Sequence, residues 1–246
     1  MSEPRIYYSD AFCTLWLGDC RDVLPGLEKG SIELVVTDPP YGINTKSDGN
    51  GKLSPWPDLC NSSLWYEWWI GQARRLLSWN GALWSFLNWR SLVTFQKASC
   101  DLCWPIESLL IWDKCWIGPG GNKGLRPSYE MVSLWAMPDF SIDNRGLADV
   151  QRFKWSSHKP NGHPAEKPIN LISWLINESG GQSILDPFAG SGTTLRAAKD
   201  MGRKSIGIEI NEAYCEISAR RLEQGVLEYQ EPPAPAVEQA GLWERE

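Results

Sequence analysis

The chain has 246 residues, of which 42% are hydrophobic and 22% charged, a length and composition that suit one large globular α/β domain. It has no apolar run of about 18 residues that could span a bilayer, and residues 1–10 lack the features of a signal peptide, so we expect a cytoplasmic protein. Seven cysteines without a regular framework, including a lone Cys100-x-x-Cys103 pair, predict reduced thiols and no metal site.

The distribution of charge weakens an objection to a nucleic-acid partner. The net charge of −6 opposes binding to phosphates, but residues 228–246 hold five glutamates and one arginine and so carry −4 of it. Residues 145–167 contain five Lys and Arg side chains against two acids. This segment is either a basic strip that contacts DNA or a solvated surface loop.

The first strand that the sequence predicts runs into a rigid turn. Residues 32–37 (IELVVT) are apolar and β-branched, and the two prolines that follow Asp38 can continue neither a central strand nor a helix. Residues 43–61 are rich in Asn, Ser, Gly and Pro, which predicts a long loop and a candidate lid. Apolar residues from Leu64 to Leu77 then recur with helical spacing, which predicts an amphipathic helix ending at Asn80-Gly81.

Strands and helices alternate through the rest of the chain. The two strands that flank the glycine-rich residues 118–124 are expected to form a hairpin. The predicted strands are 82–87, 106–112, 131–137, 183–185 and 205–210, and the predicted helices are 169–178, 193–201 and 213–224. This alternation predicts a mostly parallel, doubly wound sheet. We expect one domain over residues 1–227 and a disordered, acidic, Pro-rich tail over residues 228–246.

A glycine-rich junction between a strand and a helix predicts a nucleoside site. Residues 186–194 (DPFAGSGTT) place small side chains where a ligand can approach the backbone. Glu209 closes the next strand, where a carboxylate can accept hydrogen bonds from both ribose hydroxyls. The loop lacks the Lys-Ser/Thr of a phosphate loop, and Leu195 stands where a dinucleotide fingerprint has its third glycine. For the loop alone, a tight turn with no ligand is the alternative.

The charges at this junction favour S-adenosylmethionine as the cofactor. Asp186 would repel a pyrophosphate but suits a ligand that carries an ammonium and a sulfonium, and Lys167 could balance the carboxylate of that ligand. The other residues of the junction that we expect to line the cofactor are Phe188, Ala189, Gly190, Ser191, Gly192, Thr193, Thr194 and Ile210.

The turn Asp38-Pro39-Pro40-Tyr41 is the candidate catalytic motif. The amino nitrogen of adenine or cytosine is a poor nucleophile because its lone pair is delocalised into the ring, so an enzyme must accept its hydrogen bonds and hold it facing the methyl donor. Asp38 offers a carboxylate, and the carbonyl of Pro39, stiffened by Pro40, offers a second acceptor. Tyr41 offers an aromatic face to an extruded base. A strand-ending turn with a capping aspartate is the alternative for the tetrapeptide alone.

Together the two motifs resemble those of the beta group of DNA amino-methyltransferases, in which the catalytic motif precedes the cofactor motif. The resemblance covers nearly all of residues 13–224 and implies a Rossmann-like α/β methyltransferase fold, a seven-stranded mixed sheet with helices on both faces. It also implies S-adenosylmethionine as cofactor, DNA as partner and base flipping, with no metal; a homodimer is left open. By the same resemblance, Asp19, Cys20, Asp38 and His163 contact the cofactor.

Only a short segment of this chain is available to recognise a target DNA sequence. Larger members of the family insert a recognition domain ahead of the segment that begins at His163, whereas here only residues 139–162 are available. We therefore expect a short recognition site or relaxed specificity. The candidate DNA contacts are Trp56, Lys114, Arg152, Lys154 and Lys159.

The sequence favours adenine as the base but leaves alternatives open. In the family that this chain resembles, an aspartate before Pro-Pro-Tyr generally accompanies adenine N6 and a serine accompanies cytosine N4, so Asp38 favours adenine. Methylation of RNA or of a protein glutamine is a weaker alternative, since the related tetrapeptides usually begin with Asn. A nucleotide-binding module without catalysis is disfavoured by the intact motif.

Overall fold

One mixed β-sheet organises the chain in the computed structural model, which describes residues 3–40, 63–118, 124–155 and 166–225. Nine strands form the sheet within these ranges. They are β1 (Arg5–Ser9), β2 (Cys13–Leu17), β3 (Ile32–Thr37), β4 (Leu77–Leu87), β5 (Ser108–Asp113), β6 (Tyr129–Ala136), β7 (Val150–Arg152), β8 (Ser183–Asp186) and β9 (Lys204–Glu209). Their order across the sheet is β1-β2-β9-β8-β3-β4-β6-β5-β7.

Helices cover both faces of this sheet. They are α1 (Cys20–Val23), α2 (Ser63–Leu76), α3 (Leu92–Asp101), α4 (Ile169–Ser179), α5 (Thr193–Asp200) and α6 (Glu212–Glu223), with a 3-10 turn at Leu24–Gly26. Successive residues of β3 serve the two faces: Val35 packs in the core that contains α2 and α3, whereas Leu34 and Val36 pack in the core that contains α4 and α5. Among the described residues, no helix has the length and apolar character that a membrane span needs.

The predicted fold class is confirmed, but the expected strand number is wrong, because the described sheet has nine strands where seven were expected. The two edge strands account for the difference. β1 pairs antiparallel with β2, and the three-residue β7 pairs with β5. β7 reads Val-Gln-Arg and is largely exposed, so it shows no apolar pattern from which a strand can be predicted.

The boundary between α2 and β4 also differs from the prediction. The helix ends at Leu76 and the strand begins at Leu77, so Asn80-Gly81 lies inside a strand and does not stop the helix. Ile32 pairs with Leu77 but Leu34 pairs with Ala82, which places a bulge in β4. A Cβ on Gly81 would lie 2.9 Å from the Glu33 carbonyl oxygen. The glycine therefore serves a close approach between strands.

The centre of the sheet contains a topological switch point. Strands β2, β9, β8, β3 and β4 are parallel neighbours. From β3 the chain crosses over to β4 on one side, and from β8 it crosses over to β9 on the other. The carboxyl ends of β3 and β8 therefore border the crevice where open α/β sheets bind their ligands. The predicted hairpin is also confirmed, as β5 and β6 pair antiparallel.

Candidate active site

The two predicted motifs meet at the switch point. β3 ends at Thr37, immediately before Asp38, and the neighbouring β8 ends at Asp186. The Thr37 hydroxyl donates a hydrogen bond of 2.7 Å to Oδ1 of Asp186, and both residues are buried. The start of the candidate catalytic motif is thus joined directly to the start of the glycine-rich loop.

Asp186 lies in an environment that disfavours its own charge. It is only 4% exposed, and it also accepts the backbone N–H of Phe188 at 3.1 Å. Burial raises the pKa of Asp186 to about 6, although hydrogen bonds from Thr37, Thr194 and Phe188 oppose that rise. The negative charge of nearby Asp38 raises it further. A cation bound beside Asp186 would relieve this cost.

The loop after Asp186 has a conformation that depends on glycine. Gly190 has φ 52° and Gly192 has φ 76°, both in the left-handed region. A Cβ on Gly192 would collide with the Ser218 hydroxyl oxygen, so α6 packs against the loop at the residue where α5 begins. The loop therefore needs glycine at these two positions for its left-handed backbone, and at Gly192 also for the close approach of α6.

Glu209 is oriented by the same loop. Its Oε2 accepts the Gly190 N–H at 2.8 Å and its Oε1 accepts the Asn211 N–H at 2.7 Å. Burial raises the pKa of this carboxyl above its ordinary value, while these backbone hydrogen bonds act in the opposite direction. A carboxylate has about four acceptor positions. The backbone N–H of Ile210 also acts on this carboxyl, so only part of that capacity remains for the hydroxyls of a ligand.

The turn that contains Asp19 and Cys20 lies beside Glu209. The Gly18 N–H donates to the Glu209 carbonyl at 2.9 Å, because β2 and β9 are parallel neighbours. Asp19 caps α1 by accepting the Arg21 N–H at 2.8 Å, and it also forms a 2.6 Å ion pair with the Arg21 side chain. Burial alone would raise the pKa of Asp19, but these contacts with Arg21 bring it below the ordinary value. Cys20 is buried.

Lys167 contacts two carboxylates of the protein. Its Nζ lies 2.8 Å from Oδ2 of Asp38 and 3.0 Å from Oε2 of Glu130. Lys114, predicted to contact DNA, lies 2.6 Å from the other carboxylate oxygen of Glu130. Our sequence analysis did not select Glu130. The available signal was a pair of opposite charges near the ends of two strands expected to form a hairpin.

Aromatic side chains of α2 pack against both candidate motifs, and sequence reasoning also missed these contacts. Phe188 packs edge-on against Trp65 and Trp69, with ring centroids 5.9 and 5.6 Å away. The Tyr66 hydroxyl donates to the carbonyl of Pro40 at 3.4 Å. The helix therefore contacts both the glycine-rich loop and the turn after Asp38. Helical spacing marked these residues as apolar but gave no sign of which loops they touch.

The other predicted site residues differ in where they lie and in how buried they are. Ala189, Ser191, Thr193 and Thr194 are buried in or beside the loop, and Ile210 follows Glu209 at 37% exposure. Arg152 and Lys154 are exposed near the edge strand β7, and Arg152 pairs with Asp113 at 3.0 Å. Tyr41, Trp56, Lys159 and His163 lie outside the described residues. Within the described part of the chain, no group of three or more His, Cys, Asp or Glu side chains could hold a metal ion.

Known proteins resemble this chain in sequence and in fold. The family model for DNA methylases matches residues 32–220. Type II methyltransferase M.ScaI of Streptomyces caespitosus is 29% identical over 88% of this chain and 83% of its own length. DNA adenine methyltransferase YhdJ of Escherichia coli (strain K12) is 26% identical over 90% of this chain and 86% of its own length. PvuII DNA methyltransferase (cytosine-N4-specific) shares the fold, with a TM-score of 0.70, 17% identity and 90% coverage of both chains.

Proposed function

The chain belongs to the DNA methylase family, and from that premise we propose that it transfers a methyl group from S-adenosylmethionine to the N6 amino group of adenine in DNA. The observation that carries the proposal is the joining of two motifs at the switch point. Asp38 follows β3, Asp186 ends the neighbouring β8, and the Thr37 hydroxyl bonds the two strand ends together. An amino group held at one strand end would face a cofactor held at the other.

The residues around the glycine loop fit S-adenosylmethionine. Asp186 is a buried carboxylate whose ionisation a cationic ligand would favour, and Glu209 is oriented to accept ribose hydroxyls. The left-handed Gly190 and Gly192 give the loop a tight course that residues with a Cβ would strain. The cofactor supplies an electrophilic methyl group on its sulfonium. We assign Asp19, Cys20 and Phe188 to the same site, because all three lie at this edge of the sheet.

The turn after β3 supplies the acceptors for the target amino group. Asp38 offers a carboxylate oxygen and the Pro39 carbonyl offers a second acceptor, and two N–H bonds held in this way fix the direction of the nitrogen lone pair. The hydrogen bond from Tyr66 to the Pro40 carbonyl restrains the turn from the helix side. Tyr41 completes the motif by stacking on the base after its extrusion from the duplex.

Adenine is preferred over cytosine on the identity of residue 38. The motif begins with aspartate, which in the family that this chain resembles generally accompanies adenine. A relative named as a DNA adenine methyltransferase matches most of the chain, which supports the same choice. The fold does not choose, because PvuII methyltransferase, described as cytosine-N4-specific, shares it. N4 methylation of cytosine is therefore the competing product.

DNA would approach from the edge of the sheet that carries the site. Arg152 and Lys154 are exposed there beside β7, and we assign them to phosphate contacts. We place the short recognition segment at residues 139–162, within a single domain over residues 1–227. Such a short segment supports a short target sequence.

The test is a product analysis of the wild type and of Asp38→Ala. Nucleoside mass spectrometry of DNA from cells that express the wild type should show N6-methyladenine, and sequencing of the methylated positions would give the context. Removing one preorganised partner typically costs about 10² to 10³ in rate, so Asp38→Ala should nearly abolish the product. The variant should still bind S-adenosylmethionine in calorimetry. N4-methylcytosine in the wild-type product would refute the choice of base, and normal turnover by Asp38→Ala would refute the mechanism.

A further inference from the structure

We propose that Glu130 is a positioning residue for methyl transfer: it holds the Lys167 ammonium against Asp38 and thereby fixes the carboxylate that accepts the target amino group. The inference rests on the proposed function, because it takes the role of Asp38 from there. Glu130 lies outside the candidate catalytic motif and the glycine-rich loop that the sequence predicts.

Four charged side chains of alternating sign carry the proposal. Lys114 Nζ lies 2.6 Å from Glu130 Oε1, Glu130 Oε2 lies 3.0 Å from Lys167 Nζ, and Lys167 Nζ lies 2.8 Å from Asp38 Oδ2. The contact between Glu130 and Lys167 is an ion pair. Glu130 thus lies between two ammonium groups, and Lys167 lies between two carboxylates. The position of each inner charge depends on both of its neighbours.

Burial makes this dependence stronger than it would be at the surface. The Lys167 side chain is 11% exposed and that of Lys114 is 14% exposed. Burial would raise the pKa of Glu130, but the two lysine ammonium groups hold it below the ordinary value, so the anchor is ionised. Opposite charges attract more strongly in such surroundings, and a charge left without its partner is correspondingly costly.

The origin of each side chain explains why Lys167 needs an anchor. Glu130 is on β6, where it pairs with Trp112 of β5, and Asp38 directly follows β3. Lys167 instead comes from the segment before α4, and its ammonium is carried on a flexible four-carbon stem. Its contact with Glu130, together with the Phe86 ring 5.0 Å from Nζ, fixes the ammonium to the sheet. Asp38 is then aligned by a charge that the sheet itself positions.

Removing the anchor should affect the chemical step more than binding. In Glu130→Gln the Lys167 ammonium loses the Glu130 carboxylate but keeps its contact with Asp38, and it then competes with the target amino group for that acceptor. Misplacement by about 1 Å can cost roughly 10²-fold in rate, so we expect the single-turnover rate constant to fall by roughly 10- to 100-fold. The KM for S-adenosylmethionine should change by less than about 3-fold, because Asp186 and Glu209, the carboxylates proposed to bind the cofactor, are unchanged.

A double-mutant cycle tests whether Glu130 acts through Lys167. Single-turnover rates are measured for the wild type, Glu130→Gln, Lys167→Met and the double variant. If the effect passes through Lys167, adding Glu130→Gln to Lys167→Met should lower the rate by less than about 3-fold. Glu130→Asp keeps the charge and should be faster than Glu130→Gln. The matched control is Asp101→Asn, which removes a carboxylate from an exposed ion pair with Lys97 and should keep the wild-type rate.

The outcomes separate this inference from the function on which it rests. A wild type that transfers no methyl group to DNA overturns the proposed function and the inference with it. An active wild type overturns the inference alone if Glu130→Gln keeps the normal rate, if its loss is confined to the KM for S-adenosylmethionine, or if the two substitutions multiply in the cycle. Circular dichroism establishes folding. If Glu130→Gln does not fold, Glu130→Asp takes its place in the cycle: because it withdraws the carboxylate by one methylene, it should lower the rate several-fold in the wild-type background and have little effect beside Lys167→Met, and a normal rate or an equal loss in both backgrounds overturns the inference.

Discussion

Asp186→Asn should stabilise the protein in the absence of its cofactor while weakening cofactor binding. Burial raises the pKa of Asp186 from 3.8 to about 6, which corresponds to a cost of about 3 kcal/mol for the ionised carboxylate in the folded protein at neutral pH. An asparagine retains an oxygen that can accept from the Thr37 hydroxyl and the Phe188 N–H, and it carries no charge to bury. We therefore expect a higher Tm at pH 8, with a gain in unfolding free energy of at most about 3 kcal/mol.

The pH dependence of stability gives the sign of the effect. Folded Asp186 binds its proton more tightly than the unfolded chain does, so its contribution makes the free energy of unfolding fall as pH rises from about 4 to about 6. Urea denaturation at pH 4.5, 6 and 8 should therefore show the unfolding free energy of Asp186→Asn rising relative to that of the wild type as pH increases, because the substitution removes this one contribution and leaves those of the other carboxyls in place. The surface variant Asp101→Asn controls for loss of a carboxylate. Equal pH dependence in wild type and Asp186→Asn, or a less stable variant at pH 8, would refute the reasoning.

Calorimetry with S-adenosylmethionine measures the functional side of the same substitution. A cationic ligand favours ionised Asp186, so wild-type affinity should weaken as pH falls through about 6. A hydrogen bond to a charged group contributes about 1.5 to 3 kcal/mol, so Asp186→Asn should bind roughly 10- to 100-fold more weakly at pH 8. It should also lose the pH dependence near 6. Unchanged affinity would show that the loop is not the cofactor site.

Three further predictions follow from the same site. Glu209→Ala should weaken S-adenosylmethionine binding in calorimetry by a similar factor, and unchanged affinity would remove Glu209 from the site. Gly192→Ala should lower the Tm far more than Gly202→Ala. Both glycines have positive φ, but only at Gly192 would an added Cβ collide with Ser218, so equal losses of Tm would contradict this reasoning. Removal of residues 228–246 should leave methylation intact. It should also tighten nonspecific DNA binding in a filter-binding assay, since it deletes a net charge of −4. A folded but inactive truncation would show that the tail takes part in methylation.

The positions of glycine and proline determined which elements could be predicted from the sequence. The bounds of β3 match because an apolar run is bounded by two prolines that cannot continue it. The glycine-rich loop was predicted from small residues at the junction of a strand and a helix, and in the structure Gly190 and Gly192 have positive φ. Asn80-Gly81 misled the same reasoning, because a glycine that permits close packing of strands is indistinguishable in sequence from one that ends a helix. The exposed β7 offered no pattern at all.

Side-chain partnerships were harder to predict because they are decided by tertiary contacts. From the sequence, we expected the Lys167 ammonium to balance the carboxylate of the bound S-adenosylmethionine. In the folded chain its ammonium lies between Asp38 and Glu130, which are 92 positions apart in sequence and reach one edge of the sheet only because β6 runs antiparallel to β4. Charge counting identifies which groups require neutralisation. The order of the strands decides which side chains provide the neutralising charge. Here that order makes the Asp38 carboxylate depend on Glu130, a residue outside both motifs.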